Sequence, residues 1–336
     1  MLFAPFLILV LACNYFVDPA NVFGAEKYIG GAADILSQGH NVDRISNYDE
    51  RLLQEAMVKR LRQTPDRIVL GSSRIMEVGS DLYPDQRVLN CGVSHANIRD
   101  IAAITGLLDS LGRLPTEVLL NVDAGLISSS FSSEYTSLQG YFDRFLWKNG
   151  GQVSKGENGI MPDVRKLEAL FSIKYFQDGI KFLYKRKSKV YSDVGKEFPV
   201  HGGRFSDGTV AYTEEYRSPN VQKVAGDAAV FAKKSGVGEP DAGQSALLTT
   251  LLDFYASRHV TVKLCMLPYH PAFVESVNKY HDRVLERYES YYRDLASRRG
   301  LEIRGSFDPA RTGLVAADFY DMFHCTREKI RAILTK

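Results

Sequence analysis

The sequence predicts an α/β fold around a parallel sheet, and two patterns carry that prediction. Short apolar runs at 67–70, 88–92, 117–122, 260–267 and 301–303 read as buried strands, and amphipathic stretches between several of them read as helices. Strands that alternate with helices build βαβ units, whose strands pair in parallel.

Residues 14–64 read as a connector and a helix. Asp18-Pro19 and Gly30-Gly31 are turn signals, and Leu52, Leu53, Ala56, Met57 and Leu61 recur at helical spacing. The run at 67–70 feeds a turn at Gly71. After the second run, Ile98, Ile101, Thr105, Leu108 and Leu111 mark a helix with Asn97 as its N-cap. The stretch 128–242 has weaker periodicity and more Ser, Gly, Tyr, Phe and charge, so it reads as an insertion or lid. Within it a helix is expected over 171–184, then the basic run Lys185-Arg186-Lys187-Ser188-Lys189, then turns at His201-Gly202-Gly203 and Asp207-Gly208. The basic run reads as a solvated helix end, with contact to an anionic glycan or a membrane surface as the alternative. A helix over 246–256 follows. Val277, Tyr280, Val284, Tyr288, Tyr291 and Leu295 then form one core-facing helical stripe, stopped by Gly300. The organisation expected is a tether at 1–20 and one α/β domain over 21–336 that carries the insertion.

Composition narrows the function. The 336 residues hold 42 Lys and Arg against 40 Asp and Glu, a net charge of +2, which gives no basis for a nucleic-acid partner. The four cysteines, at 13, 91, 265 and 325, are too few for a disulfide-stapled scaffold, and without a CxxC pair they do not suggest structural zinc.

The amino terminus departs from this average. Met1 to Ala12 carries no charge but is shorter than the roughly 20 residues a membrane span needs. Three readings fit: a signal-anchor helix extended through Val17, with upstream residues absent; a cleaved or lipidated signal, since Val10-Leu11-Ala12-Cys13 loosely follows a lipoprotein cleavage box; or a buried core helix. The first two place the remaining chain outside the cytoplasm, where Cys265 and Cys325 are candidates to pair.

Gly71-Ser72-Ser73-Arg74 directly follows the first core strand. A serine on such a turn can sit at a helix N-terminus, whose amides favour a developing oxyanion. Its weakly nucleophilic hydroxyl needs a base. Asp321-Met322-Phe323-His324 supplies one: the Asp can hold the imidazole in one tautomer and leave the other ring nitrogen free for the serine proton. Sites in open parallel sheets lie at the carboxyl ends of the strands, where both motifs can meet.

On these residues the chain resembles the SGNH/GDSL hydrolase superfamily, and in particular its membrane-anchored alginate O-acetylation and teichoic-acid D-alanylation branches. The resemblance covers about 64–127 and 246–336. Ile68 to Arg74 matches the nucleophile block with Ser73 as nucleophile and Ser72 where Asp often stands, Asn90 to Ser94 the second block, and Asp321 to His324 the fifth. It implies a three-layer, flavodoxin-like sheet, a Ser73–His324–Asp321 triad, and an oxyanion hole from the amides of Ser73 and Gly92. Asp123 stands where the third block usually has an Asn donor; an ionised carboxylate cannot donate, and Asn121 is the possible substitute. Leu267-Pro268-Tyr269-His270-Pro271 resembles a strand-end segment of the alginate-type branch, which implies that His270 borders the site, and Asp123 is a further candidate substrate contact; Arg74 reads as a partner of a core carboxylate or as a contact for an anionic substrate, and His95 as a site-lining or a surface histidine.

The expected function is therefore that of an extracytoplasmic serine esterase or O-acyltransferase, acetyl by resemblance, acting on a cell-surface or exported polysaccharide. No metal or organic cofactor is expected. The expected location is the bacterial envelope, on its periplasmic or extracellular face. Expected partners are the acylated polymer, the membrane through the N-terminal segment, and a membrane-bound O-acyltransferase. The alternative is a noncatalytic accessory or glycan-binding subunit of a polysaccharide-acylation complex.

Overall fold

Five strands form one sheet: β1 (Arg67–Leu70), β2 (Val88–Asn90), β3 (Glu117–Asn121), β4 (Thr261–Met266) and β5 (Glu302–Gly305). All pairings are parallel, in the order β2-β1-β3-β4-β5. Ile68 lies opposite Leu89 and Val118, and Leu264 opposite Leu120 and Ile303. The structure is a computed structural model that describes residues 3–19, 22–128, 135–151, 162–184, 190–218, 221–234 and 238–335; the basic run at 185–189 lies outside them.

Side chains alternate between the two faces of the sheet. Ile68, Leu70, Val118, Leu120, Val262 and Leu264 enter the larger apolar cluster, whereas Val69, Val88, Leu119 and Cys265 enter a smaller one with Ile330, Ile333 and Leu334 of the last helix, Arg327–Thr335. The four strands β1 to β4, largely covered on both faces, read as continuous apolar runs, whereas β5, with Glu302 exposed and Ile303 to Gly305 only partly buried, left just the short Leu301-Glu302-Ile303 pattern. Burying each such aliphatic side chain stabilises the fold by roughly 1.5–3 kcal/mol before chain entropy is counted.

Helix ends follow local chemistry. Asn97 Oδ1 accepts from the Arg99 amide at 2.9 Å, and Asp100 Oδ2 accepts from the Asn97 amide at 3.0 Å, so the helix Ile98–Ser110 opens on a capping box. Asp49 caps Glu50–Arg60, and Asp241 caps Ala242–Ser257, which starts four residues ahead of the expected 246 because the cap sits there. The stripe expected as one helix from Val277 to Leu295 is instead two helices, Pro271–Tyr280 and Val284–Arg299. Asp282 and Arg283 between them are left-handed, with φ of 39° and 54°, and a right-handed helix cannot run through that conformation. Tyr288 and Tyr292 are buried, whereas Tyr280 and Tyr291 are not. Gly300 ends the second helix at φ 63°.

The insertion contributes helices and part of a second sheet. Val42–Asp43 pairs antiparallel with Ser192–Asp193 and Gly203–Arg204, and the latter with Val210–Ala211. Two-residue strands are too short to leave a period in sequence. The helix expected over 171–184 is present as Ile173–Tyr184, and Phe171 instead ends a preceding helix, Pro162–Phe171.

No helix among the described residues is long and apolar enough to cross a membrane. The amino-terminal helix, Phe3–Val17, packs on Pro162–Phe171 and Ile173–Tyr184. Its buried Asn14 amide donates to the carbonyls of Ala169, Leu170 and Ser172 at 2.9–3.0 Å. Phe6, Ile8, Leu9, Tyr15 and Phe16 stay exposed beside the equally exposed Phe171, Ile180, Leu183 and Tyr184. All four cysteines are free thiols, so the pairing considered for Cys265 and Cys325 is absent. Burial pushes both thiols up to about 12, where neither ionises near neutral pH.

Candidate active site

The parallel sheet brings the ends of β1, β2, β3 and β4 to one edge, and the nucleophile turn leaves β1 there. Gly71 has φ 149°, and a Cβ at that position would lie 2.7 Å from Asn121 Cβ, so only glycine lets this turn pass beside β3. Ser73 then opens a single 3₁₀ turn, Ser73–Ile75, rather than a long helix. The amide potential at the serine is therefore that of one turn.

Ser73 Oγ lies 2.8 Å from His324 Nε2. On the other side of the ring, His324 Nδ1 is 2.9 Å from both oxygens of Asp321. The Asp321 carboxylate also accepts from the amides of Phe323 at 2.7 Å and His324 at 2.8 Å, which close the Asp-x-x-His loop on itself. Burial by itself would raise the pKa of Asp321. Its bonds to His324, to Tyr216 and to the Phe323 amide outweigh that, and hold it well below the ordinary carboxylate range. The carboxylate is thus ionised at neutral pH and fixes His324 with Nε2 toward the serine.

Tyr216 was not legible in sequence as a site residue. It lies in the insertion on the short helix Glu214–Arg217, capped by Thr213. Its hydroxyl donates to Asp321 Oδ2 at 2.6 Å and lies 3.1 Å from His324 Nδ1. Burial and the Asp321 charge raise its pKa far above the usual phenol value, so the group stays a neutral donor.

Arg74 is 5% exposed. Its Nε donates to Phe323 O at 3.0 Å, and its Nη2 donates to the carbonyls of Leu267 and, at 2.8 Å, Pro268. The guanidinium stacks 3.7 Å from the centre of the Tyr269 ring. The residue next to the nucleophile is therefore a strut from the serine turn to the histidine loop and the end of β4.

Ser72 Oγ donates to Asp123 Oδ2 at 2.6 Å, and the other Asp123 oxygen accepts from the Leu126 amide at 3.0 Å. An acceptor-only side chain suits this position, because both of its partners are donors. Gly92 lies outside the cleft lining, and its amide donates to Asn90 Oδ1 at 2.8 Å. Asn121 is buried, also outside the lining, and donates to Cys265 O at 3.2 Å. Both groups thus spend an N–H on another partner, and neither residue lines the cleft with Ser73. The Ser73 amide meets no acceptor among the described residues.

His270 is buried away from the cleft lining. Its Nδ1 accepts from the Ala272 amide at 3.2 Å as a helix cap, and burial pulls its pKa below the ordinary value. His95 lines the cleft, exposed, with φ 53°. The loop that carries it is clamped: Arg51 pairs with Asp100 at 2.7 Å and donates to Ser94 O at 3.1 Å, while Glu50 accepts from the Ser94 amide at 2.5 Å and from Arg204 at 2.8 Å. Among the described residues no group of three His, Cys, Asp or Glu side chains could hold a metal ion.

Ser73 and His324 open into a cleft of about 730 Å³ with walls from the core edge and the insertion, including Met76, Val210, Tyr212, Phe231 and Phe323. Fold and site define a mixed α/β protein with a hydrogen-bonded serine, histidine and aspartate at the edge of a parallel sheet. No family model matches the chain, and no curated protein sequence matches it.

Proposed function

We propose that the protein is a serine esterase or O-acyltransferase of the SGNH type, with a flavodoxin-like sheet. The 2.8 Å approach of Ser73 Oγ to His324 Nε2, with Asp321 on the far ring nitrogen, carries this reading. Ser73 Oγ attacks the ester carbonyl as His324 Nε2 takes its proton. The tetrahedral intermediate collapses, the carbonyl carbon–alkoxy oxygen bond breaks, and the same proton leaves with the alcohol. Water or a sugar hydroxyl then attacks the acyl-serine, again through His324, and the Ser73 hydroxyl is regenerated. The strand order β2-β1-β3-β4-β5, with the serine leaving β1 at the switch between β1 and β3, supports this class.

The acyl group's carrier is read as a cell-surface or exported polysaccharide, and the location as the outer face of the envelope. Exposed apolar side chains on three packed helices, Phe3–Val17 among them, support seating on a membrane surface. A membrane-bound acyltransferase would be the source of acyl groups if the direction is transfer.

A noncatalytic accessory role is favoured by one observation. The Gly92 amide is taken by Asn90, and Asp123 offers no donor, which leaves the Ser73 amide as the evident oxyanion contact. Loss of one oxyanion donor costs roughly 100- to 1000-fold in rate. Fluorophosphonate labelling with peptide mapping separates the two. Label on Ser73 that is lost in both Ser73→Ala and His324→Ala supports catalysis. An unlabelled Ser73 in folded protein, with no hydrolysis of aryl esters, rejects it.

A further inference from the structure

We propose that the cleft beside Ser73 takes an uncharged, medium-length alkyl acyl group rather than an acetyl group or a charged sugar. This rests on the serine-esterase reading for its chemistry, but its binding content is independent of turnover.

The charged groups on the cleft are already used. Arg74 donates to three backbone carbonyls through Nε and Nη2, and its Nη1, which has no partner among the described residues, is buried rather than presented on the cleft surface. Glu50 is paired with Arg204 and the Ser94 amide. Asp123 holds Ser72 and the Leu126 amide. A uronate or phosphate entering the cleft would thus lose water without meeting an exposed Lys or Arg N–H, since the unpartnered Arg74 Nη1 lies below the surface. A neutral sugar ring would need a partner for most of its hydroxyls. Beyond the triad, Ser72 and Tyr216, the neutral polar side-chain groups of the lining are the Tyr212 and Ser94 hydroxyls, the His95 ring, and the Tyr48, Thr213 and Tyr269 hydroxyls, of which the last three each already accept one hydrogen bond. An alkyl chain needs none.

The surface that remains is apolar. Met76, Val210, Phe231 and Phe323 line it, and Phe231 packs edge-on against Phe323 with ring centres 5.3 Å apart. Tyr212 and Tyr216, 4.6 Å apart, close the side next to His324. The volume of about 730 Å³ is that of pockets which enclose drug-sized ligands, far beyond what an acetyl group fills. Because the ester carbon must sit at Ser73 Oγ, the acyl chain bonded to that carbon starts inside this cleft.

The test has two arms. In the first, the full chain hydrolyses 4-nitrophenyl acetate, butyrate, hexanoate and octanoate below their micelle concentrations. Each buried methylene can add up to about fourfold, so kcat/KM is expected to rise at least 10-fold from acetate to hexanoate. Val210→Trp should lower the octanoate-to-acetate ratio. In the second arm, calorimetry measures binding of 4-nitrophenyl ethyl and octyl ethers to Ser73→Ala. The octyl ether is expected to bind at least 10-fold tighter, with the preference reduced by Val210→Trp. A flat or acetate-optimal ester series, or equal ether affinities, overturns the proposal. If Ser73 is unreactive and no ester is hydrolysed, the esterase reading fails, and the ether arm decides the cleft by itself.

Discussion

The Tyr216 hydroxyl donates to Asp321 Oδ2 at 2.6 Å, so a residue of the insertion holds the aspartate that orients the histidine. The two are 105 positions apart, and the bond makes the insertion part of the acid–base assembly. Without it Asp321 protonates at a higher pH. Tyr216→Phe should slow Ser73 labelling roughly 10-fold at pH 7, the worth of one hydrogen bond to a charged group. The acid side of the labelling profile should also move to higher pH. An unchanged profile would reduce Tyr216 to cleft lining.

The same carboxylate sets an acid limit on stability. Its folded pKa is depressed, so its contribution is present above the ordinary value of 3.8 and is lost as pH falls below it. The melting temperature should therefore drop below about pH 4 more steeply in wild type than in Asp321→Asn. Parallel melting curves from pH 7 to pH 3 check this.

Glu77 works in the opposite sense. It is buried, accepts no hydrogen bond among the described residues, and burial raises it to about 7, with Glu328 adding to the rise and Arg327 and Arg217 opposing it. The folded protein then holds a proton that the unfolded chain releases above 4.5. Stability should fall as pH rises from 4.5 toward 7, and Glu77→Gln should remove that fall, gaining on the order of 3 kcal/mol at pH 8 and little at pH 4. Urea midpoints at the two pH values measure it.

Asp123 and Ser72 lock the nucleophile turn to the loop after β3. Asp123→Ala should cost about 1–3 kcal/mol, because it leaves the buried Ser72 hydroxyl without an acceptor, whereas the Leu126 amide keeps the Asp123 main-chain carbonyl. Asp123→Asn should cost less, since its carbonyl oxygen still accepts. If Asn instead speeds ester hydrolysis, the position is limiting the oxyanion site.

Arg74→Lys tests the strut. A lysine cannot span the carbonyls of Phe323, Leu267 and Pro268 at once, and its charge stays buried, so a loss of about 3 kcal/mol and slower Ser73 labelling are expected. Unchanged stability with weaker substrate binding would make Arg74 a substrate contact.

The strands β1 to β4 were legible because burial on both faces leaves a continuous apolar run, and Asn97 was legible as a cap because capping is decided within three residues. The serine and the Asp-x-x-His motif were visible for the same local reason: one follows a strand through a glycine, and the other closes a three-residue loop. The break at Asp282 was not legible, since an apolar stripe continues across it. Neither was the small sheet, whose two-residue strands are held by distant partners.

Sequence by itself determined the five strands, the Asn97 cap, the Gly300 stop and the residues able to act as nucleophile, base and orienter, because each is written in neighbours a few positions apart. Tertiary structure alone decided that Ser73 and His324, 251 positions apart, meet at 2.8 Å. It also decided that Tyr216 joins them, that Arg74 is a strut, and that the Gly92 amide belongs to Asn90. Those outcomes depend on which buried donors and acceptors the packed sheet and the insertion bring together, since an unpaired buried polar group is costly and most find a partner where the fold places one.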